Sequence, residues 1–226
     1  MHDCDPAQGI DVLGKPSLLC IEGPAGSGKT TLCGVLAQKC SAAGLNFSLL
    51  GEFSATPLGQ ELGRLARFSQ TPVTWSPMET MMLCIADKFA ALASVHQLDA
   101  GVILLDRGFI TQRVLGLPFM NDERCQRLST SIVSLLNDWL AARFTVSTFV
   151  LQLPMVDNMV RLEARLGRGL NKREKEVLQL EIDRYAGLAT LADSARLGLR
   201  LLDAKSAPEA LADKVISISF GNEIRR

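Results

Sequence analysis

The apolar run Leu18-Leu19-Cys20-Ile21-Glu22 leads straight into Gly23-Pro24-Ala25-Gly26-Ser27-Gly28-Lys29-Thr30, and a helical pattern follows from about residue 29 to 42. Few sequence features restrict a fold so tightly. Glycines at 23, 26 and 28 let the backbone turn with its N–H groups pointing inward, and a helix starting there adds the positive end of its dipole. The spacing GxxxxGK[ST] therefore predicts a strand–loop–helix unit and an anion cradle together. A glycine-rich turn with an incidental lysine is the plainer alternative, and the strand before and helix after argue against it.

Alternation continues along the chain. A strand is expected over 46–50. Ser76-Pro77-Met78-Glu79 then opens a long helix, with Ser76 as N-cap, Pro77 at the first helical position and Glu79 closing a capping box. That helix carries Met81, Met82, Ile85, Phe89 and Leu92 on its apolar side and ends near Gly101. Residues 102–105 read as a strand buried on both faces, the pattern of a central parallel strand. A helix over 121–142, a strand over 148–153, helices over 157–166 and 172–195, and a short strand over 200–202 follow. Ser206-Ala207-Pro208-Glu209 repeats the capping device before a last helix. This order implies an α/β fold, a doubly wound parallel sheet with helices on both faces. Residues 1–16 lack periodicity and read as a loose N-terminal arm, leaving 17–226 as one domain.

Composition removes other classes. Lys and Arg total 24 against 24 Asp and Glu, so bulk attraction to nucleic acid or an anionic membrane is not expected. No stretch nears the roughly 20 apolar residues of a membrane span. The start Met1-His2-Asp3-Cys4-Asp5 is acidic where a secretory signal is basic, which points to a cytoplasmic protein. Six cysteines without a CxxC pair or a histidine at ligand spacing read as free thiols in a reducing compartment, and no zinc site is expected. Neutrality is uneven, however: residues 157–173 hold five cationic and two anionic side chains.

The motif assigns chemistry to residues. The loop Gly23–Thr30, with Thr31 beyond it, would cradle phosphates; Lys29 reaches β- and γ-phosphates, and the Thr30 hydroxyl can ligate Mg²⁺. Asp106 stands at the end of the second apolar strand, where ligand crevices open. It can hold Mg²⁺ directly or through water, or simply cap the next turn. Arg107 directly after it suits a protein that grips a second anionic substrate. Arg161, Arg165 and Arg168 share one helical face if the helix persists that far, and like charges so placed make sense around an anion. With Gly167 and Gly169 flanking Arg168, they read as a hinged lid closing over phosphates, or else as a solvated basic face paired with Glu163, Glu174 and Glu176.

Together these residues resemble the thymidylate kinase family of P-loop nucleoside monophosphate kinases, over most of the chain from about Leu18. The opening strand and loop, Glu52 before Thr56-Pro57-Leu58-Gly59, Ala86-Asp87-Lys88, the pair Asp106-Arg107 and the arginines of 161–168 all follow that family's order. The resemblance implies a P-loop fold with a short arginine-bearing lid, γ-phosphoryl transfer from ATP–Mg²⁺ to a small-molecule acceptor, and a homodimer. On that reading Lys29, Arg107, Arg165 and Arg168 are catalytic, Thr30 and Asp106 hold the metal, and Glu52, Lys88 and Arg107 face the acceptor. Departures cluster on the acceptor side. The family's Arg-Glu-Pro is Gly51-Glu52-Phe53, its base-stacking aromatic corresponds to Cys84, its helix arginine is Lys88, and Asp-Arg-Tyr is Asp106-Arg107-Gly108. Phe68, near Arg64, Arg67 and Gln70, and Phe109, near Gln112 and Arg113, remain as stacking candidates. The acceptor is then dTMP or another nucleotide, a nucleoside, or an unrelated metabolite. An ATP-dependent switch and a degenerate kinase that has lost its acceptor are the other readings.

Overall fold

The structure, a computed structural model, describes residues 15–67, 77–96, 101–116, 122–188 and 198–221. Within them, strands β1 (Ser17–Glu22), β2 (Phe47–Leu50), β3 (Val102–Asp106), β4 (Thr145–Gln152) and β5 (Leu199–Asp203) form one parallel sheet. The order is β2-β3-β1-β4-β5. Eight helices are described: α1 (Lys29–Ala42), α2 (Pro57–Arg67), α3 (Pro77–His96), α4 (Phe109–Gly116), α5 (Glu123–Arg143), α6 (Met155–Leu166), α7 (Lys172–Gly187) and α8 (Pro208–Phe220). None is long and apolar enough to cross a membrane.

The two-residue period of a strand explains the double winding. Leu19 and Ile21 of β1 and Leu104 of β3 turn to one side, where they pack with Leu32 and Leu36 of α1 and Leu211 and Val215 of α8. Leu18 and Cys20, with Ile103 and Leu105, turn to the other and meet Met81, Ile85 and Leu92 of α3 and Leu136 and Leu140 of α5. Both faces of β1 and β3 are thus covered, as their unbroken apolar runs require. Successive strands fall on opposite sides of β1, β3 on one and β4 on the other. Pairing of Ile21 with Asp106 and of Glu22 with Val150 brings the carboxyl ends of three strands to one edge. Such an edge, where the winding reverses, is where open α/β sheets bind ligands.

Several local expectations need correction. Helices α2 and α4 were not among the expected elements. Met82 is 44% exposed rather than part of the apolar side of α3, whose buried stripe runs through Met81, Ile85 and Leu92. The expected box over 206–209 does not form: Ala207 is the N-cap of α8, and no side chain caps it. There the proline sits one residue too far along for Ser206 to serve, since Pro208 at the first helical position makes Ala207 the cap, and the Ser206 amide instead closes a turn onto the Asp203 carbonyl. Strand β4 begins at Thr145, earlier than expected, because its pairing with β1 starts at Ser17. Elsewhere local signals translate directly, as where Asp122 caps α5 by accepting from the Arg124 amide. Ser76, the expected N-cap of α3, lies outside the described residues; the helix expected over 172–195 ends at Gly187 with Leu188 as its C-cap, and residues 189–195 lie outside the described residues.

Leu104 is fully buried on the central strand. Leu104→Ala is expected to lower unfolding free energy by about 2–5 kcal/mol, the range for such core truncations, as read from urea denaturation.

Candidate functional site

The loop after β1 requires its glycines. A Cβ on Gly26, which sits at φ +80°, would come within 2.6 Å of the Asn158 carbonyl oxygen, so α6 leans on the loop at that point. Gly28, left-handed at φ 95°, is the N-cap of α1 and turns the chain into it. Lys29 follows, buried, its Nζ donating to the Pro24 carbonyl across the loop at 2.8 Å. Burial and the nearby Arg107 charge lower its pKa to about 7, against the pull of Asp106, Glu52 and Glu181. The Thr30 hydroxyl donates to Asp106 Oδ2 at 2.7 Å, which brings the first turn of α1 to the end of β3. Thr31, next along, is exposed. The Ala25 amide donates to Glu181 Oε2 of α7 at 2.9 Å.

Beside this loop stands Arg107, which has a left-handed backbone at φ 64°. A non-glycine residue held there is strained, and such strain concentrates at sites where a side chain must be aimed. Arg107 Nε lies 3.0 Å from Glu52 Oε1, linking the end of β3 to the segment after β2. The approach is ionic, because neither Nε nor Nη1 of the buried guanidinium makes an aligned hydrogen bond. Ser27 Oγ and Asp106 Oδ1 are likewise buried without a hydrogen-bond partner. Buried polar atoms of this kind, gathered around one loop, fit a polar ligand. Thr30 and Asp106 suit Mg²⁺, which is usually held by one or two carboxylates plus substrate phosphates. Among the described residues no group of three or more His, Cys, Asp or Glu side chains is placed to hold a metal.

The sequence places Glu22 in the opening strand and gives it no role in the site. Its carboxylate, fully buried, accepts from the amides of Gly108 (2.8 Å) and Thr111 (3.4 Å), from the Thr111 hydroxyl, and from Tyr185 OH at 3.1 Å. Burial raises its pKa, while the Thr111 bond, the Arg107 charge and the Tyr185 bond oppose the rise. The signal was present: a carboxylate closing an apolar run must find donors elsewhere in the fold.

Lys88, Phe109 and the three arginines have different surroundings from those expected. Lys88 does not present its amine to the crevice: it is buried, and Nζ donates to the carbonyls of Gly51 (3.3 Å) and Glu52 (2.9 Å). Phe109 is 2% exposed and packs its ring against Phe89, with centroids 5.6 Å apart. A stacking platform needs an open face, so Phe109 is a core residue. The three arginines do not share a helical face, since α6 stops at Leu166 and Gly167 takes a left-handed turn at φ 67°. Arg161 donates to the Ala204 carbonyl at 3.1 Å. Arg165 is exposed, and Arg168 forks onto Glu174 at 2.9 and 2.6 Å. Those bonds and the Asn171 amide hold the Glu174 carboxyl down to about 2. Phe68 lies outside the described residues.

The site thus gathers Lys29, Thr30, Glu52, Asp106 and Arg107 and leaves Arg165 and Arg168 on the surface. No family model matches the chain. It is, however, similar to a thymidylate kinase. That protein, from Gluconobacter oxydans (strain 621H), is 24% identical over 204 residues, covering 88% of this chain and 92% of the relative.

Lys29 makes stability depend on pH in a defined sense. Its folded pKa of about 7 lies below the ordinary 10.5, so between those values the unfolded chain holds a proton that the folded one has released. Stability from this group therefore rises with pH above 7 and is lost as pH falls back to 7. Lys29→Met is expected to be more stable than wild type at pH 6.5, with the gap narrowing by pH 8.5, as measured by urea denaturation at both values.

Proposed function

We propose that this chain, acting as one domain over 17–226, is an ATP-dependent kinase that transfers the γ-phosphoryl group to a small acceptor. A nucleoside monophosphate such as dTMP is the first acceptor class. The observation that carries the reading is the joining of Lys29, Thr30 and Asp106 around the glycine loop, with Ser27 Oγ and Asp106 Oδ1 buried and unpartnered there. Similarity to a thymidylate kinase along nearly the whole chain supports the same class.

In this reading the loop amides from Gly23 to Thr31, Pro24 excepted because it has no N–H, receive phosphate oxygens, and Lys29 exchanges the Pro24 carbonyl for the β- and γ-phosphates. Thr30 and Asp106 would hold Mg²⁺, which when bound would supply charge neutralisation at the phosphates. Arg107 orients the acceptor, and Glu52 positions the acceptor or a water. Arg168 contributes only after leaving Glu174, whereas Arg165 stands on α6 and contributes by extending its exposed side chain. Such catalysis is mainly positioning and electrostatics, so no protein nucleophile is needed.

A nucleoside or another hydroxyl-bearing metabolite is a second acceptor class, favoured by one observation. The Lys88 amine is engaged by the Gly51 and Glu52 carbonyls, so this cation is less free for an acceptor phosphate.

We also propose a homodimer, with the contact on α5, where Leu128 and Leu135 are exposed on one face. Leu135→Lys should shift a dimeric sedimentation species toward monomer.

The decisive assay follows ATP consumption against dTMP, dUMP, other mononucleotides, nucleosides and a metabolite panel. Stimulation by a single acceptor is expected. Lys29→Ala should lower kcat by about 100-fold or more, the scale for losing a donor aimed at transition-state charge. Full transfer by that variant, or ATP hydrolysis indifferent to every acceptor, would overturn the proposal.

A further inference from the structure

Residues 51–56 leave the sheet at the carboxyl end of β2 and reach α2 without regular structure of their own. A segment of this kind is held in one place only by bonds from outside it. Two adjacent residues of α3 supply them. Asp87, 1% exposed, accepts from the Ser54 amide (2.9 Å), the Thr56 hydroxyl (2.8 Å) and the Ser54 hydroxyl. Lys88, 3% exposed, donates to the carbonyls of Gly51 and Glu52. One residue therefore fastens the far half of the segment and its neighbour fastens the near half.

The start of α2 closes on the same point. A Cβ on Gly59 would lie 2.5 Å from the Ser54 carbonyl oxygen and 2.6 Å from Asp87 Oδ1, and the Gly59 amide donates to Thr56 Oγ1 at 3.1 Å. Between these ties stands Glu52, whose side chain is 46% exposed and reaches Arg107. Its backbone carbonyl is fixed by Lys88, while its carboxylate stays open to the crevice. Burying two full charges is costly unless each is well bonded. The bonds described for these two side chains run into this one segment.

We infer that Asp87 and Lys88 are positioning residues that clamp residues 51–56 and thereby set where the Glu52 carboxylate meets Arg107. The clamp is a property of the fold; that it governs acceptor handling rests on the kinase reading given above. Lys88 acts on the acceptor through Glu52 and not by touching it. The clamp is independent of the glycine loop, so disturbing it separates acceptor from ATP.

The test joins a structural and a kinetic measurement. Hydrogen–deuterium exchange on the full chain is expected to quicken over 51–56 in Lys88→Met and Asp87→Ala, with peptides of the glycine loop and α1 unchanged. Asp87→Asn, which keeps an oxygen for the Ser54 amide, should stay close to wild type. With the acceptor found by the panel, Lys88→Met should lower kcat/KM for the acceptor by about 10- to 100-fold, as expected for a misplacement of about 1 Å. The KM for ATP should stay within about twofold. Combining Lys88→Met with Glu52→Gln should cost little more than the larger single effect, because both act through one carboxylate. Unchanged exchange over 51–56, exchange quickened throughout the sheet, or full multiplication of the two effects would each overturn the inference. If no acceptor is found, the kinase reading fails and exchange alone decides the clamp.

Discussion

At the carboxyl edge of the sheet, charged side chains stand where apolar strands stop, and most are nearly out of reach of water. Glu22, Lys29, Asp87, Lys88, Asp106 and Arg107 are all buried. An isolated charge in such a place costs far more than a fold of this size can spare, so each must be answered by opposite charge or aligned dipoles. Those answers come from separate helices. Asp87 and Lys88 belong to α3, Thr111 to α4, and Glu181 and Tyr185 to α7. Pairing charges at this edge therefore also fixes how the helices seat over it, and the site is held by the same bonds as the fold.

The two sides of the crevice consequently differ in stiffness. Toward β2, the segment 51–56 is tied by bonds to buried charged groups, which are costly to break singly. Toward α7, Arg168 and Glu174 meet at the surface, where water and salt screen an ion pair and leave it little net strength. Small energies can rearrange the arginine segment, whereas the Glu52 side needs large ones. A protein that must hold one partner in fixed register while a second end opens and closes has use for that asymmetry.

Legibility from sequence followed the range of the interactions. The strand–loop–helix at 17–42, the buried strand ending in Asp106 and the helix over Glu123–Arg143 are encoded by neighbours, and periodicity and caps find them. Helix α4 was missed because its apolar residues serve two cores at once: Phe109 joins the cluster under α3 and α5, while Ile110 and Val114 join Tyr185 and Leu188. No single stripe results. Glu22 meets Gly108 and Tyr185 across 86 and 163 residues, and no spacing rule reaches so far. Lys88 was matched to an acceptor-contact position because its place in a motif is visible, whereas the carbonyls that occupy its amine are set by the path of a distant loop. The spacing of Arg168 puts it on a helix face, but that helix ends two residues before it. Gly167 was the warning, since a left-handed stop is what glycine supplies at a helix end.

The bond from the Ala25 amide to Glu181 has a consequence for how any anion enters the glycine loop. The chain brings one of its own carboxylates to a donor on that loop, across 156 residues. An incoming anion that uses this amide exchanges places with a tethered competitor, and affinity is the difference between two anions for one donor. Because the competitor is attached, its effective concentration does not fall on dilution. Displacing that carboxylate would couple occupancy of the loop to the seating of α7, the helix that carries Glu174 and Tyr185.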